Sequence, residues 1–100
     1  MREYELYLVL DGEAEEEQVD AIVERTSQMI SAGHADTPGE VIKVDARGRR
    51  RLAYAIRKKR EGLDYILTFH TPPPALPEIE RYLKLDEQVL RYLLVRKDDS

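Results

Sequence analysis

The chain has no cysteine, so disulfides, thiolate metal sites and a cysteine nucleophile are excluded. That composition suits a reducing compartment. Its two histidines, His34 and His70, stand far apart, and neither has a second ligand at helical or strand spacing. That argues against a metal site. The five glycines are dispersed and form no phosphate-cradling or dinucleotide-binding run, and no nucleophile-elbow motif is present. No apolar stretch approaches the ~18 residues that a membrane span requires. The start, MREYELYLVLDGEAEEE, is unlike a signal peptide, because acids flank its short apolar run. One hundred residues, 42% of them hydrophobic, lead us to expect one soluble cytoplasmic domain over residues 1–97 with a frayed tail at 98–100. Neither a cofactor nor a small-molecule substrate is expected.

What the chain does have is charge, unevenly spread. The net charge is -4, which by itself disfavours a nucleic-acid partner. Yet nine of the twenty acids lie between Glu3 and Glu24, and nine of the sixteen bases between Lys43 and Arg60. Within RGRRRLAYAIRKKREG, the stretch from Ala46 to Arg60 holds eight basic residues and no acid. Binding follows the local field, so such a patch attracts phosphate even on an acidic protein.

Periodicity gives the elements. Tyr4, Leu6, Leu8 and Leu10 alternate on one face of a first strand. A helix from about Ala14 to Ala32 follows, with Val19, Ile22, Val23, Met29 and Ile30 as its apolar stripe and Gly33 as its C-cap. Pro38-Gly39 marks a turn in the loop HADTPGE. The long run VIKVDARGRRRLAYAI reads as a second strand with a bulge near Gly48. RKKREG then reads as a hairpin turn ending in Gly62. LDYILTFH returns as a third strand with Leu63, Tyr65, Leu67 and Phe69 on one face. A short helix over about Leu76–Lys84 is expected to bury Leu76, Ile79, Leu83 and Leu85, and QVLRYLLVRK closes the domain as a strand. Strand, helix, strand, strand, helix, strand is the order of an α+β, ferredoxin-like split βαβ fold: a four-stranded antiparallel sheet with two helices on one face. Its helix-free face carries Tyr7, Val9, Ile66 and Thr68, an apolar candidate contact surface.

The basic segment has two readings. Charged residues on an edge strand deter sheet-to-sheet aggregation. Alternatively, the strand tracks phosphate. Arginine outnumbers lysine six to two between Arg47 and Arg60, and its planar fork suits bidentate phosphate contacts. Along an extended strand Arg49 and Arg51 point one way and Arg50 the other. Tyr54, on the parity of Arg50 and Leu52, is assigned to the core rather than to base stacking.

MREYELYLVL, GRRRLAYAI and VLRYLLVRK, in this order and spacing, resemble the bacterial-type small ribosomal subunit protein six family across nearly the whole chain. That family opens with Met-Arg-x-Tyr-Glu, matched by Arg2, Tyr4 and Glu5. It carries Gly-x-Arg-Arg-Leu-Ala-Tyr-Pro-Ile, matched by Gly48, Arg50, Arg51, Leu52, Ala53, Tyr54 and Ile56. Lys58 to Gly62 match its basic hairpin, Val89 and Arg91 its final Val-x-Arg, and Arg96 and Lys97 its basic end. Three features depart from the pattern: Ala55 replaces the family's proline, Arg47 stands where tryptophan or leucine is usual, and the loop at His34–Glu40 is longer.

The resemblance implies a structural protein of the small subunit that pairs with small-subunit ribosomal protein eighteen on the central domain of 16S ribosomal RNA, without catalysis. It implies phosphate contacts from Arg2, Arg50, Arg51, Arg91, Arg96 and Lys97, with Arg47, Arg49, Lys58, Lys59 and Arg60 as secondary candidates. Tyr7, Val9, Ile66 and Thr68 would then meet the partner protein. Two other functions fit the same fold. An acylphosphatase-type enzyme needs a basic phosphate-cradling loop after the first strand, whereas DGEAEEE repels phosphate. A small-ligand regulatory or protein-interaction domain that dimerises through its sheet is the remaining alternative.

Overall fold

The structure, a computed structural model, describes residues 2–97. The frayed tail expected at 98–100 therefore lies outside the described residues. Strand β1 (Arg2–Asp11) is followed by helix α1 (Glu16–Ala32), strands β2 (Glu40–Ile56) and β3 (Lys59–Thr71), a short 3-10 turn at Pro73–Ala75, helix α2 (Leu76–Leu85) and strand β4 (Val89–Arg96). The four strands form one antiparallel sheet in the order β2-β3-β1-β4. This is the ferredoxin-like plan, with β1 and β3 central.

Alternation in the central strands decides which face carries the core. Leu6, Leu10, Leu67 and Phe69 are wholly buried, and Tyr4 and Leu8 nearly so. The Tyr4 and Phe69 rings lie 5.6 Å apart, tilted by 31°, an arrangement that adds attraction beyond area burial. Against this face α1 buries Val19, Ile22, Thr26 and Ile30, and α2 buries Ile79 and Leu83. Thr26 belongs to the stripe because its hydroxyl donates to the Ile22 carbonyl at 2.7 Å, leaving only its methyl to pack. Val23 and Met29 sit at the margin of the core. The N-terminus of α1 is secured by the Gln18 side chain, which accepts the Glu15 N–H at 3.1 Å. Glu16 and Glu17 face the positive end of the dipole. Gly33, at φ 65°, closes the helix as expected.

Several expectations are corrected. Leu85 ends α2 pointing outward, 73% exposed, because two residues after buried Leu83 it lies about 200° round the helix, on the outer face with Pro77 and Arg81. The turn in the long loop lies at His34–Thr37, closed by two backbone bonds of 2.9 Å, not at Pro38-Gly39. The hairpin turn is only two residues, Arg57 and Lys58, with φ 51° and 67°. Both lie in the left-handed region that two-residue hairpins require. Lys59 and Arg60 therefore belong to β3, and Gly62 lies inside that strand, opposite Arg50 and Asp11.

Candidate nucleic-acid interface

The basic segment occupies edge strand β2, and two irregularities decide where its side chains go. The first is the bulge at Gly48. Ala46 pairs with Tyr65 and Gly48 with Asp64, so Arg47 is an extra residue. Gly48 takes φ 91°, which a side chain would resist. Through this bulge Arg47 and Arg50 both line the helix-free face. Arg50, opposite Gly62, holds the Asp64 carboxylate through Nε at 2.6 Å. Arg47 reaches Asp45 at 3.4 Å. Arg49 takes the other side of the strand, 3.4 Å from Glu61, beside Glu16 and Asp20 of α1. Arg51, opposite Glu61, follows the parity of Arg49.

The second irregularity is larger. Arg51 pairs with Glu61 and Ile56 with Lys59, so Leu52, Ala53, Tyr54 and Ala55 together stand opposite Arg60 alone. This wide bulge carries LAYAI off the ladder and over the end of the helix-free face. Leu52 and Ile56 settle around Val9, which is left only 8% exposed. Gly62 permits the approach, since a Cβ there would lie 2.7 Å from Val9 Cγ1 and 3.2 Å from Leu52 Cδ2. Tyr54 is not core. It is 60% exposed, and its hydroxyl accepts from Arg91 Nη2 at 2.7 Å, with the guanidinium 5.8 Å from the ring centroid. LAYAI therefore covers the sheet instead of anchoring β2 to the core. The ladder does not continue through Ala55.

Beside LAYAI, residues of all four strands line a concavity of about 580 Å³ on the helix-free face. Tyr7, Val9, Ile66 and Leu93 give it apolar surface, and Arg47, Arg50, Arg91 and Asp64 stand around it. Asp64 Oδ1 is buried there without a hydrogen-bond partner among the described residues, so the site retains an unmet demand for a donor. Tyr7 donates to Glu5 at 2.8 Å. That bond and the Lys97 ammonium, 3.2 Å from the same carboxylate, hold the Glu5 carboxyl below its ordinary range.

The expected site residues thus divide. Arg47, Arg50, Arg91, Tyr7, Val9 and Ile66 come together, although Val9 offers little surface. Thr68 lies further along the face, opposite Glu5. Arg2, Arg96 and Lys97 mark the other end of the sheet: Arg96 pairs with Tyr4 and Arg91 with Val9, five residues or about 17 Å apart at strand rise. Lys58 is exposed in the turn. Lys59 is committed to Asp11 and Glu13 at 3.4 and 3.8 Å, and Arg60 is exposed on β3. His70 lies 3.3 Å from Glu3, and among the described residues no three potential metal ligands cluster. Sequence reasoning missed Leu93, 60% exposed, which alternation from Arg91 along β4 could have placed. It also missed Arg57, because a two-residue turn without glycine or asparagine gave no signal.

Residues 3–96 match the family described as Ribosomal protein S6. The chain is 38% identical over 100 residues to the small ribosomal subunit protein bS6 of Moorella thermoacetica, covering 100% of this chain and 98% of that one. It is 43% identical over 98 residues to the protein of the same name from Acidothermus cellulolyticus, covering 98% of each. A crystal structure of 30S ribosomal protein S6 from Thermotoga maritima superposes with a TM-score of 0.84 at 27% identity, over 96% of this chain and 87% of that one. Matched over residues 3–96 by the family and along nearly its whole length by such relatives, the chain belongs to the ribosomal protein S6 family.

Proposed function

We propose that this chain is a structural constituent of the small ribosomal subunit, located with it in the cytoplasm. In this reading it binds the central domain of 16S ribosomal RNA jointly with small-subunit ribosomal protein eighteen and catalyses nothing. The observation that carries the reading is the convergence of Arg47, Arg50 and Arg91 around an apolar concavity on the helix-free face. Apolar floor and cationic rim suit a composite contact, protein against the floor and phosphate against the rim. A chain of net charge -4 gains little from nonspecific attraction to RNA, so a basic partner protein completes the field.

Arg50 and Arg91 are the phosphate contacts at this end of the sheet, and Arg2, Arg96 and Lys97 those at the other. Arg51, Arg49, Lys58 and Arg60 lie outside the concavity and serve flanking strands of RNA. Lys59, held by two carboxylates, contributes least. Tyr7, Ile66 and Leu93 meet the partner, with Thr68 at the margin.

Filter binding of a central-domain RNA fragment tests this, with and without purified partner, over a range of salt. The expected result is weak binding alone, tight binding with the partner, and a log–log salt slope that flattens by about 0.7–0.9 for each phosphate-contacting arginine changed to alanine. Unchanged affinity and slope in the Arg50→Ala, Arg91→Ala double variant would remove these two residues from the interface.

A further inference from the structure

The tip of the β2–β3 hairpin reaches across the end of β1 to the start of β4. Arg57 makes the span. Its Nη1 donates to the Glu87 carbonyl at 2.9 Å and the Val89 carbonyl at 3.1 Å. Both carbonyls belong to the reverse turn that follows α2, where the Val89 N–H returns to the Asp86 carbonyl at 3.1 Å. The base of the hairpin is tied elsewhere: Gly12 N–H donates to the Glu61 carbonyl at 2.9 Å, and Lys59 holds Asp11. Those ties bear on β1. Arg57, and Arg91 through the Tyr54 hydroxyl, join the hairpin to β4.

The four bulged residues Leu52–Ala55 have no facing ladder of their own, so their course depends on what fixes the two ends. At one end stands the Arg51–Glu61 pair, and at the other stands Arg57. Tyr54 lies between them, three residues before the clamp. We infer that Arg57 is a positioning residue for the RNA-binding surface: by pinning the hairpin tip to β4 it keeps Tyr54 on Arg91, so that ring and guanidinium present one rigid surface beside Arg50. This rests on the RNA-binding reading above. An exposed aromatic ring fixed beside arginines is the arrangement on which unpaired bases stack while phosphates are held. Arg57 itself, turned toward two backbone carbonyls, does not touch the RNA.

The test compares Arg57→Ala, Arg57→Lys, Tyr54→Phe and Arg91→Ala in the full chain. RNA affinity is measured with the partner protein present and over a range of salt, and hydrogen exchange is measured on the free chains. Arg57→Ala weakens RNA binding roughly tenfold, the scale of one well-placed cation–aromatic contact. Its salt slope stays that of the parent, because no phosphate contact is lost, whereas Arg91→Ala flattens the slope. Arg57→Lys keeps the charge, but its ammonium ends one atom short of the Nη1 position that meets both carbonyls, so it does not restore affinity. Tyr54→Phe combined with Arg57→Ala costs less than the sum of the two, since both act through Arg91.

A flattened slope in Arg57→Ala, full rescue by lysine, or unchanged RNA affinity overturns the inference. So does a loss confined to partner-protein affinity, which would make the surface a protein contact. If the parent chain binds no RNA even with its partner, the RNA-binding reading fails, and hydrogen exchange decides the clamp separately. Faster exchange over residues 52–57 in Arg57→Ala and Arg57→Lys, with the core still protected, supports the clamp. Unchanged exchange there overturns it.

Discussion

At the scale of the residue, the helix-free face is held by bonds whose effect can be titrated. Glu5 accepts from the Tyr7 hydroxyl and from Lys97, and both favour its charged form, which is why its carboxyl sits below the ordinary range. A folded-state value below the unfolded one stabilises the fold above the unfolded value. That contribution is lost as pH falls through the folded value. Tyr7→Phe removes the larger of the two causes, so Glu5 should titrate closer to 4.5, and acid should cost the variant less through this group. A carbon-detected NMR titration of the Glu5 carboxyl reads the shift directly. No shift would mean that the Lys97 ammonium alone sets the charge state. The mirror effect falls on Tyr7, whose phenol is pushed up by the bond to Glu5 and by its negative charge.

At the scale of the element, the hairpin turn carries avoidable strain. Arg57 and Lys58 occupy left-handed backbone at φ 51° and 67°, where an L side chain costs about 1 kcal/mol per residue. Arg57 offsets that cost through its bonds to the Glu87 and Val89 carbonyls, but among the described residues no bond from the Lys58 side chain offsets the same cost. Lys58→Gly should therefore stabilise the chain by about 1 kcal/mol, seen as a higher urea midpoint at unchanged slope. An unchanged or lower midpoint would show that glycine's greater freedom in the unfolded chain cancels the relief.

This turn also shows why some of the fold was legible in the sequence and some was not. β1 and β3 were readable because one face of each carries the core, so Leu6, Leu8, Leu67 and Phe69 follow strict alternation. The same parity placed Tyr7 and Ile66 on the helix-free face, and Arg50 opposite Arg49 and Arg51. Parity fails where residues leave the ladder. LAYAI looked like core because apolar runs usually are, but nothing in it announces that four residues will oppose one. The clamp by Arg57 was equally invisible, since its partners are backbone carbonyls that have no letter in the sequence. Leu85 was misplaced because its apolar character was read without its helical phase, which sets it on the face opposite Ile79 and Leu83.

At the scale of the whole molecule, the sheet is completed by strands far apart in the chain. β1 lies between β3 and β4, and the Tyr4–Arg96 rung is sealed by the Lys97 N–H donating to the Glu3 carbonyl at 2.9 Å. β4 buries Val89 and Leu90 and supplies the ladder partners of β1 from Tyr4 to Leu10 on that flank. A chain ended after Asp86 should leave β1 with an unpaired edge and the core open. It should show no cooperative unfolding transition by circular dichroism, and a sharp two-state transition would mean that three strands suffice. The order of synthesis then acquires a consequence. β1 emerges before the other three strands and must wait for β4 before its second neighbour exists, and Arg91, which holds Tyr54, arrives on that same strand. The proposed RNA-facing surface is thus assembled only once β4 has been made. A chain halted before β4 has no finished surface to offer.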